Sequence, residues 1–471
     1  MRARYLTTTL PYINADPHLG HALEFIEADA FARAARLAGD DVFLNIGTDE
    51  HGAKIAQKAK QEGKDPQAYA DEYAARFQAF ADRLDISYDS FIRTTDVRHI
   101  AAAQEFWKRC EAAGDIYKAA YEIKYCIGCE LEKTDSELVD GRCPLHPNLE
   151  IEIRNEENYY FRFSNYQNAL LERYVAQPSF VVPEERLHEI KAFATAGLKD
   201  FSISRRKEKL SWGVPVPGDN EHVMYVWFDA LVNYVSAIGW PQDEGKFKKW
   251  WPVTQFAGKD NLRQQSAMWQ AMLLSAGLPF SEQVFIHGFI TSGGQKMSKS
   301  LGNVINPLEL VETYGTDAVR YLLLRHVSPT EDSDLTLDAI HDHYVAHLTN
   351  GLGNLVARVM KLAEQYLSVP VTMKKSLYTS TIFKLVERFE FNAVMDQIWQ
   401  RIQDLDQRIT REEPFKIVKT DLKRGQDLIA ELVVGLQSIA EELSSFMPST
   451  STKILRAIRE NKKPENLFPR L

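Results

Sequence analysis

Arg2-Ala3-Arg4-Tyr5-Leu6-Thr7-Thr8-Thr9-Leu10 runs into Pro11-Tyr12-Ile13-Asn14-Ala15-Asp16-Pro17 and then His18-Leu19-Gly20-His21. This order decides the fold. The opening segment is strand-like, and the Pro- and Asn-containing stretch after it is a turn. A helix is predicted from near His18, because Leu23, Ile26, Ala30, Ala34 and Leu37 fall on one helical face. Gly39 is its expected stop. A second strand, Asp41 to Ile46, leads into Gly47-Thr48-Asp49-Glu50-His51-Gly52. Strand, helix and strand in this sequence read as a parallel α/β sheet.

Working outward, the alternation breaks after Asp115. The next stretch holds three of the four cysteines, many turn residues and short aromatic strands such as Asn158-Tyr159-Tyr160-Phe161-Arg162-Phe163, and reads as an insertion. Strand-like runs resume at Val223 to Phe228 and at Gln283 to His287. From Ala346 the pattern is helical: Phe391, Met395, Ile398, Ile402, Leu405 and Ile409 recur at helical spacing, as do Leu432, Leu436, Ile439 and Leu443, with Pro448 ending that run. The expected organisation is a sheet's first half over 1–115, an insertion over 116–222, the second half over 223–325, a linker over 326–345 and a helix bundle over 346–471.

The 471 residues are 45% hydrophobic and 26% charged, enough for several cores. No apolar run reaches transmembrane length, and the start lacks a signal peptide's apolar core. Four cysteines in so long a chain make no disulfide scaffold, so a reducing cytoplasm is expected. The net charge is −9, yet residues 346–471 carry 19 Lys+Arg against 15 Asp+Glu. Phosphate contact is therefore expected at the helical end.

Pro17-His18-Leu19-Gly20-His21 sits where strand turns to helix, and a helix N-terminus attracts phosphate. Gly20 allows close backbone approach, and His18 and His21 lie on one face of the first turn. Lys296-Met297-Ser298-Lys299-Ser300 lies on a loop primed by Gly293-Gly294 and followed by Gly302; its lysines supply mobile charge for a triphosphate. No Walker-type Gly-x-x-x-x-Gly-Lys-Ser/Thr loop is present.

The two motifs together resemble the paired signatures of class I aminoacyl-tRNA synthetases. The resemblance implies a Rossmann-type parallel sheet that holds ATP with Mg²⁺. It places His18 and His21 on the phosphates, with Lys296 and Lys299 stabilising the transition state of adenylate formation. Leu10-Pro11-Tyr12-x-Asn14, Gly47-Thr48-Asp49-Glu50-His51-Gly52 and Tyr225-Val226-Trp227-Phe228-Asp229-Ala230 look like the methionyl-tRNA synthetase family. By that resemblance Leu10, Tyr12, Trp227, Ala230, Leu231 and Tyr234 line a methionine side-chain pocket, and Asp49 pairs with the substrate ammonium. Asn14, Gly20, Gly258 and Asp260 fall on the ATP side, with Gly258-Lys259-Asp260 near the ribose. The implied reaction is methionine–tRNA ligation through methionyl-adenylate, with L-methionine, ATP and tRNA(Met) as partners. The chain departs from the family at Gln264-Gln265, where many members carry Phe-His next to the methionine pocket.

Cys126-x-x-Cys129, thirteen residues, then Cys143-x-x-His146 match a tetrahedral structural Zn²⁺ site, one per chain. In the family such a knuckle belongs to the connective insertion. The helical end resembles an anticodon-binding domain. There Asn354 and Arg358 share a face for reading bases, and Phe415 stands where the family often has Trp, able to stack on a base. No further carboxyl-terminal module follows the bundle, so a monomer is expected. Leucyl and valyl enzymes would need a large editing insertion that does not fit between Asp115 and Val223. A cysteinyl enzyme would hold zinc at the amino-acid site. A non-catalytic tRNA-binding relative would have no need of His18, His21, Lys296 and Lys299.

Overall fold

The opening strand lies at the centre of the sheet it was expected to found. The computed structural model describes residues 2–133, 137–297, 305–372 and 380–471. Six strands run in the order Ser90–Arg93, Asp41–Thr48, Ala3–Thr8, Val253–Gly258, Gln283–His287, Val181–Val182, every neighbouring pair parallel. The chain winds outward to one edge from Ala3–Thr8 through Asp41–Thr48 to Ser90–Arg93, and on the other side steps from Val253–Gly258 out to Gln283–His287. The switch point between those two strands is where a doubly wound sheet opens a crevice at its carboxyl ends. The edge strand Val181–Val182 comes from within the segment read as an insertion; two residues are too few to show a sequence pattern.

Alternating side chains build a core on each face. Leu6, Leu44, Phe256 and Phe285 pack with helix Leu19–Leu37, whereas Tyr5, Val253, Val284 and Ile286 pack with helices Val97–Ala112 and Trp269–Ser275. Side chains on both faces are buried, which explains the near-continuous apolar strands. The insertion is antiparallel. Ile116–Cys126 pairs with Glu152–Phe161 along almost its whole length, flanked by Leu131–Lys133 and Phe201–Ser202.

One expected strand is shorter than its pattern. Strand Asp219–Met224 ends before Tyr225, and Val226–Leu231 is helical. Val226, Phe228, Ala230 and Leu231 are all buried, and an apolar run buried on every side does not distinguish strand from helix.

The carboxyl-terminal helices include Asn354–Tyr366, Phe391–Glu412, Leu422–Leu443 and Pro448–Glu460. The apolar run ends at Leu443, and Pro448 opens the next helix at its first turn, where its missing N–H costs nothing. The bundle core is continuous with the sheet core. Phe389 adopts φ +60° and stacks on Phe285 with centroids 4.3 Å apart. That backbone state costs about 1–2 kcal/mol, and the stacking offsets about 0.5–1.5 kcal/mol of it. Arg320 and Asp29 form a fully buried ion pair at 2.7 Å. Arg320 also donates to the carbonyls of Leu84 and Phe446, tying helix Leu19–Leu37, through Asp29, to the turn before the last helix. Among the described residues no helix is long and apolar enough to cross a membrane.

Candidate active site

A cavity of about 510 Å³ opens at the carboxyl ends of Ala3–Thr8 and Val253–Gly258. Its wall gathers Leu10, Tyr12, Asn14, His18, Gly20, His21, Asp49, Trp227, Gly258 and Asp260 from distant parts of the chain. Ala230, Leu231 and Tyr234 are buried and are not among the residues lining this cavity; Leu231 and Tyr234 belong to the hydrophobic core.

His18 is the N-cap of helix Leu19–Leu37, and its Nδ1 accepts from the Gly20 amide at 3.1 Å. His21 Nδ1 accepts from the His18 amide at 3.2 Å, and the rings stack at 3.7 Å. Each Nδ1 is thus an acceptor, so each neutral ring carries its proton on Nε2. Burial, with His18 and His287 nearby, holds His21 well below the usual histidine range and keeps it neutral. The pair offers two N–H donors at a helix N-terminus, an arrangement suited to phosphate oxygens. A Cβ on Gly20 would sit 3.1 Å from the His18 ring. The glycine therefore makes room for the capping imidazole as well as for a ligand.

Sequence reading missed the charged layer beneath. Glu24, one turn beyond His21, accepts from the Thr9 amide and hydroxyl at 2.6 Å and pairs with His287 Nε2 at 3.0 Å. Burial opposes charge on His287, but Glu24 and Glu27 push it up to about 9. Burial pushes Glu27 up to about 8, His287 opposing. The result is an imidazolium–carboxylate pair that fixes the end of the first strand. The i, i+3 spacing of Glu24 from His21 was its available signal; His287 had none until the strands were side by side.

Asp49 is buried, and its Oδ1 has no hydrogen-bond partner among the described residues. Burial, with Asp229 and Glu130 close by, raises its carboxyl well above the ordinary range. Such a group is stabilised by a cation. Its neighbour Asp229 is already paired, with His51 Nδ1 at 2.6 Å and His99 Nε2 at 2.8 Å. Burial disfavours its charge, but the two histidines hold it at about 2. The Tyr12 hydroxyl donates to Glu130 at 3.2 Å, and the Tyr12 and Asp49 backbones pair in an isolated parallel β-bridge. Gln265 donates from Nε2 to the Tyr234 hydroxyl at 2.8 Å and accepts from Gln255 at 2.7 Å. Gln264 lines the cavity, and its Oε1 is buried without a partner among the described residues.

Cys126, Cys129, Cys143 and His146 converge. Cys129 Sγ lies 3.4 Å from Cys143 Sγ and 3.3 Å from His146 Nδ1; Cys126 Sγ lies 3.9 Å from that nitrogen. Two sulfurs about 2.3 Å from one tetrahedral zinc would be about 3.8 Å apart, so the donor set fits Zn²⁺. A Cβ on Gly128 would fall 2.2 Å from the His146 ring, so only glycine fits beneath that ligand. The knuckle roofs the cavity: Cys129, Glu130 and His146 line it, and Lys54 clamps it through the Gly128 carbonyl at 2.6 Å.

Gly293 and Gly294 turn the hairpin Ile290–Ser292 to Gln295–Lys296 with φ +65° and +72°. The hairpin begins just past strand Gln283–His287, whose last residue lines the cavity, so the Lys296 backbone leaves from the site's edge. Lys299, Ser298 and Ser300 lie outside the described residues. In the bundle, Asn354 is exposed at the start of its helix, Arg358 pairs with Asp406, and Phe415 is 37% exposed.

A sheet of this strand order, with paired imidazoles at the switch point and a lysine-bearing hairpin at its margin, defines a class I aminoacyl-tRNA synthetase. A family model described as "tRNA synthetases class I (M)" matches residues 4–149 and 137–360. The methionine–tRNA ligase of Nostoc sp. is 41% identical over 96% of this chain and 89% of its own length. That of Thermosynechococcus vestitus is 49% identical over 77% and 69%. The solved Mycobacterium tuberculosis methionyl-tRNA synthetase in complex with methionyl-adenylate superposes with a TM-score of 0.90, at 35% identity, covering 100% of this chain and 99% of that one. The chain belongs to the methionyl-tRNA synthetase family.

Proposed function

We propose that this enzyme activates L-methionine with ATP to methionyl-adenylate, releasing pyrophosphate, and transfers the methionyl group to tRNA(Met), releasing AMP. The observation that carries the amino-acid assignment is Asp49, a buried carboxylate whose Oδ1 has no hydrogen-bond partner among the described residues, in a wall that also presents Leu10, Tyr12 and Trp227. The carboxylate suits an α-ammonium, and the aromatic and aliphatic surface suits a polarisable thioether. Ala230, Leu231 and Tyr234 back this wall. Gln265 takes the hydrogen bond to Tyr234, which leaves that side of the pocket uncharged.

In the reaction the methionine carboxylate attacks the α-phosphorus of ATP and pyrophosphate leaves, so the protein's work is alignment and charge neutralisation. His18 and His21 donate from Nε2 to phosphate oxygens. Lys296 and Lys299 bring positive charge to the phosphates. Asn14, Gly20, Gly258 and Asp260 hold the nucleotide. A Cβ on Gly258 would fall 2.9 Å from Asp260 Oδ1, crowding the carboxylate assigned to the ribose. ATP enters as its Mg²⁺ complex. The knuckle residues hold a structural Zn²⁺ that fixes the cavity roof, and its thiolate ligands fit a reducing cytoplasm. Asn354, Arg358 and Phe415 read the anticodon.

The test is amino-acid-dependent ATP–pyrophosphate exchange. Methionine supports it and the other standard amino acids do not; exchange with none, alongside intact tRNA binding, would make this a binding protein only.

A further inference from the structure

Three histidines, none of them lining the active-site cavity, meet at the joint between sheet and bundle. Helix Thr316–His326 ends on His326. Helix Leu337–His343 ends on His343 and passes into the wide helical turn Tyr344–Gly353, which carries His347. His343 and His347 share a helix face, and His326 approaches from the other segment. The His326 and His343 rings stack at 3.7 Å, and each lies 5.5 Å from the His347 ring. One nitrogen of each ring falls within 4.8 Å of the other two. All three residues are half-buried, so the cluster stays open to solvent.

Tyr321 backs the cluster. Its hydroxyl lies 3.0 Å from His326 Nε2 and 2.8 Å from His347 Nδ1, and Arg325 donates to it at 2.8 Å. Arg325 is the adjacent positive charge, and Asp396 holds it at 2.9 Å. A hydrogen-bond partner on the far side of an imidazole orients the ring, the support that metal-ligating histidines use.

We propose that His326, His343 and His347 form a second metal site, a three-nitrogen site for a divalent transition ion such as Zn²⁺ with its fourth position open to water. Imidazole suits Zn²⁺, Ni²⁺ and Cu²⁺. Tetrahedral zinc with nitrogens at about 2.0–2.1 Å needs them about 3.4 Å apart, so side-chain rotation of about 1.5 Å closes the site. The ion would pin helix Thr316–His326, which carries Arg320, to the segment leading into helix Asn354–Tyr366. It thus stiffens the joint between the nucleotide site and the bundle. The site shares no ligand with the cysteine knuckle.

The test gives the metal-free full-length chain one equivalent of Zn²⁺, which the cysteine knuckle takes, removes unbound zinc by dialysis, and then titrates with Co²⁺, read by equilibrium dialysis and visible absorption. One cobalt per chain is expected, with ligand-field bands and without the thiolate-to-cobalt charge-transfer band of a cysteine site. His326→Gln and His343→Gln should each abolish it while leaving methionine-dependent exchange intact, which confirms folding. Tyr321→Phe should weaken it about tenfold. The proposal is overturned if no cobalt binds up to about 0.1 mM free ion, if binding is unchanged in both histidine variants, or if the only bound cobalt shows the thiolate band.

Discussion

Replacing Asp49 by Asn keeps the side chain's shape and removes its charge. In the protein without substrate that charge is unfavourable: burial, Asp229 and Glu130 all raise the Asp49 carboxyl. A group whose folded pKa is raised favours folding while protonated, and loses that contribution as pH rises from its unfolded value toward its folded one. At neutral pH Asp49→Asn should therefore melt no lower than wild type, and somewhat higher if Asp49 is ionised there. Methionine binding should move the other way. Losing one partner of a buried ion pair costs about 3–5 kcal/mol, or about 10²- to 10⁴-fold in affinity. The assay is ATP–pyrophosphate exchange with methionine varied, beside a thermal melt. Wild-type methionine affinity should itself fall as pH drops through the raised Asp49 pKa, and the variant should lack that dependence. A variant whose methionine KM stays within a few-fold of wild type would refute the ammonium assignment. Loss of exchange together with a collapsed melt would show that Asp49 serves folding instead.

Lys299→Ala should cut adenylate formation by about 10²-fold or more, the scale of losing one aimed charge, with an unchanged melt; normal exchange would remove Lys299 from the mechanism. Arg320→Met should destabilise by about 3 kcal/mol, the low end for a broken buried pair, because Arg33 still holds Asp29 at 2.8 Å. Burial opposes the Asp29 charge, but Arg320 and Arg33 lower its pKa, so their stabilisation is present above the unfolded carboxylate value and lost as pH falls. The Arg320→Met melt should accordingly converge on wild type in acid. Cys129→Ser should lose one zinc per chain by metal analysis, expose the 116–161 segment to limited proteolysis and lower exchange, since Cys129 and His146 line the cavity. Phe415→Ala should raise the tRNA KM by the equivalent of about 1–3 kcal/mol of base stacking and leave exchange untouched; an unchanged tRNA KM would remove Phe415 from the anticodon contact.

Much of the site was legible because its parts are local. His18 and His21 lie within one helical turn, and the sequence turns from strand to helix at that point, so their neighbourhood follows from backbone periodicity. The knuckle is legible for the same reason, its two ligand pairs each spanning one tight turn. Helices such as Phe391–Glu412 show their buried stripe because one face meets solvent. Val226–Leu231 does not, because all its residues but Trp227, which faces the cavity, are buried, and its apolar run carries no period.

The sequence alone determined a parallel α/β sheet, a zinc-type knuckle, a helical end and the family to which they belong. These are properties of short segments whose chemistry is fixed by neighbours along the chain. Only the tertiary structure decided that Glu24 meets His287, that Asp229 takes both His51 and His99 while Asp49 Oδ1 has no hydrogen-bond partner among the described residues, and that Arg320 locks the bundle to Asp29. It alone brought His326 beside His343 and His347. Each of these depends on burial and on contacts across strands and helices, and a side chain's charge state follows from who surrounds it in space.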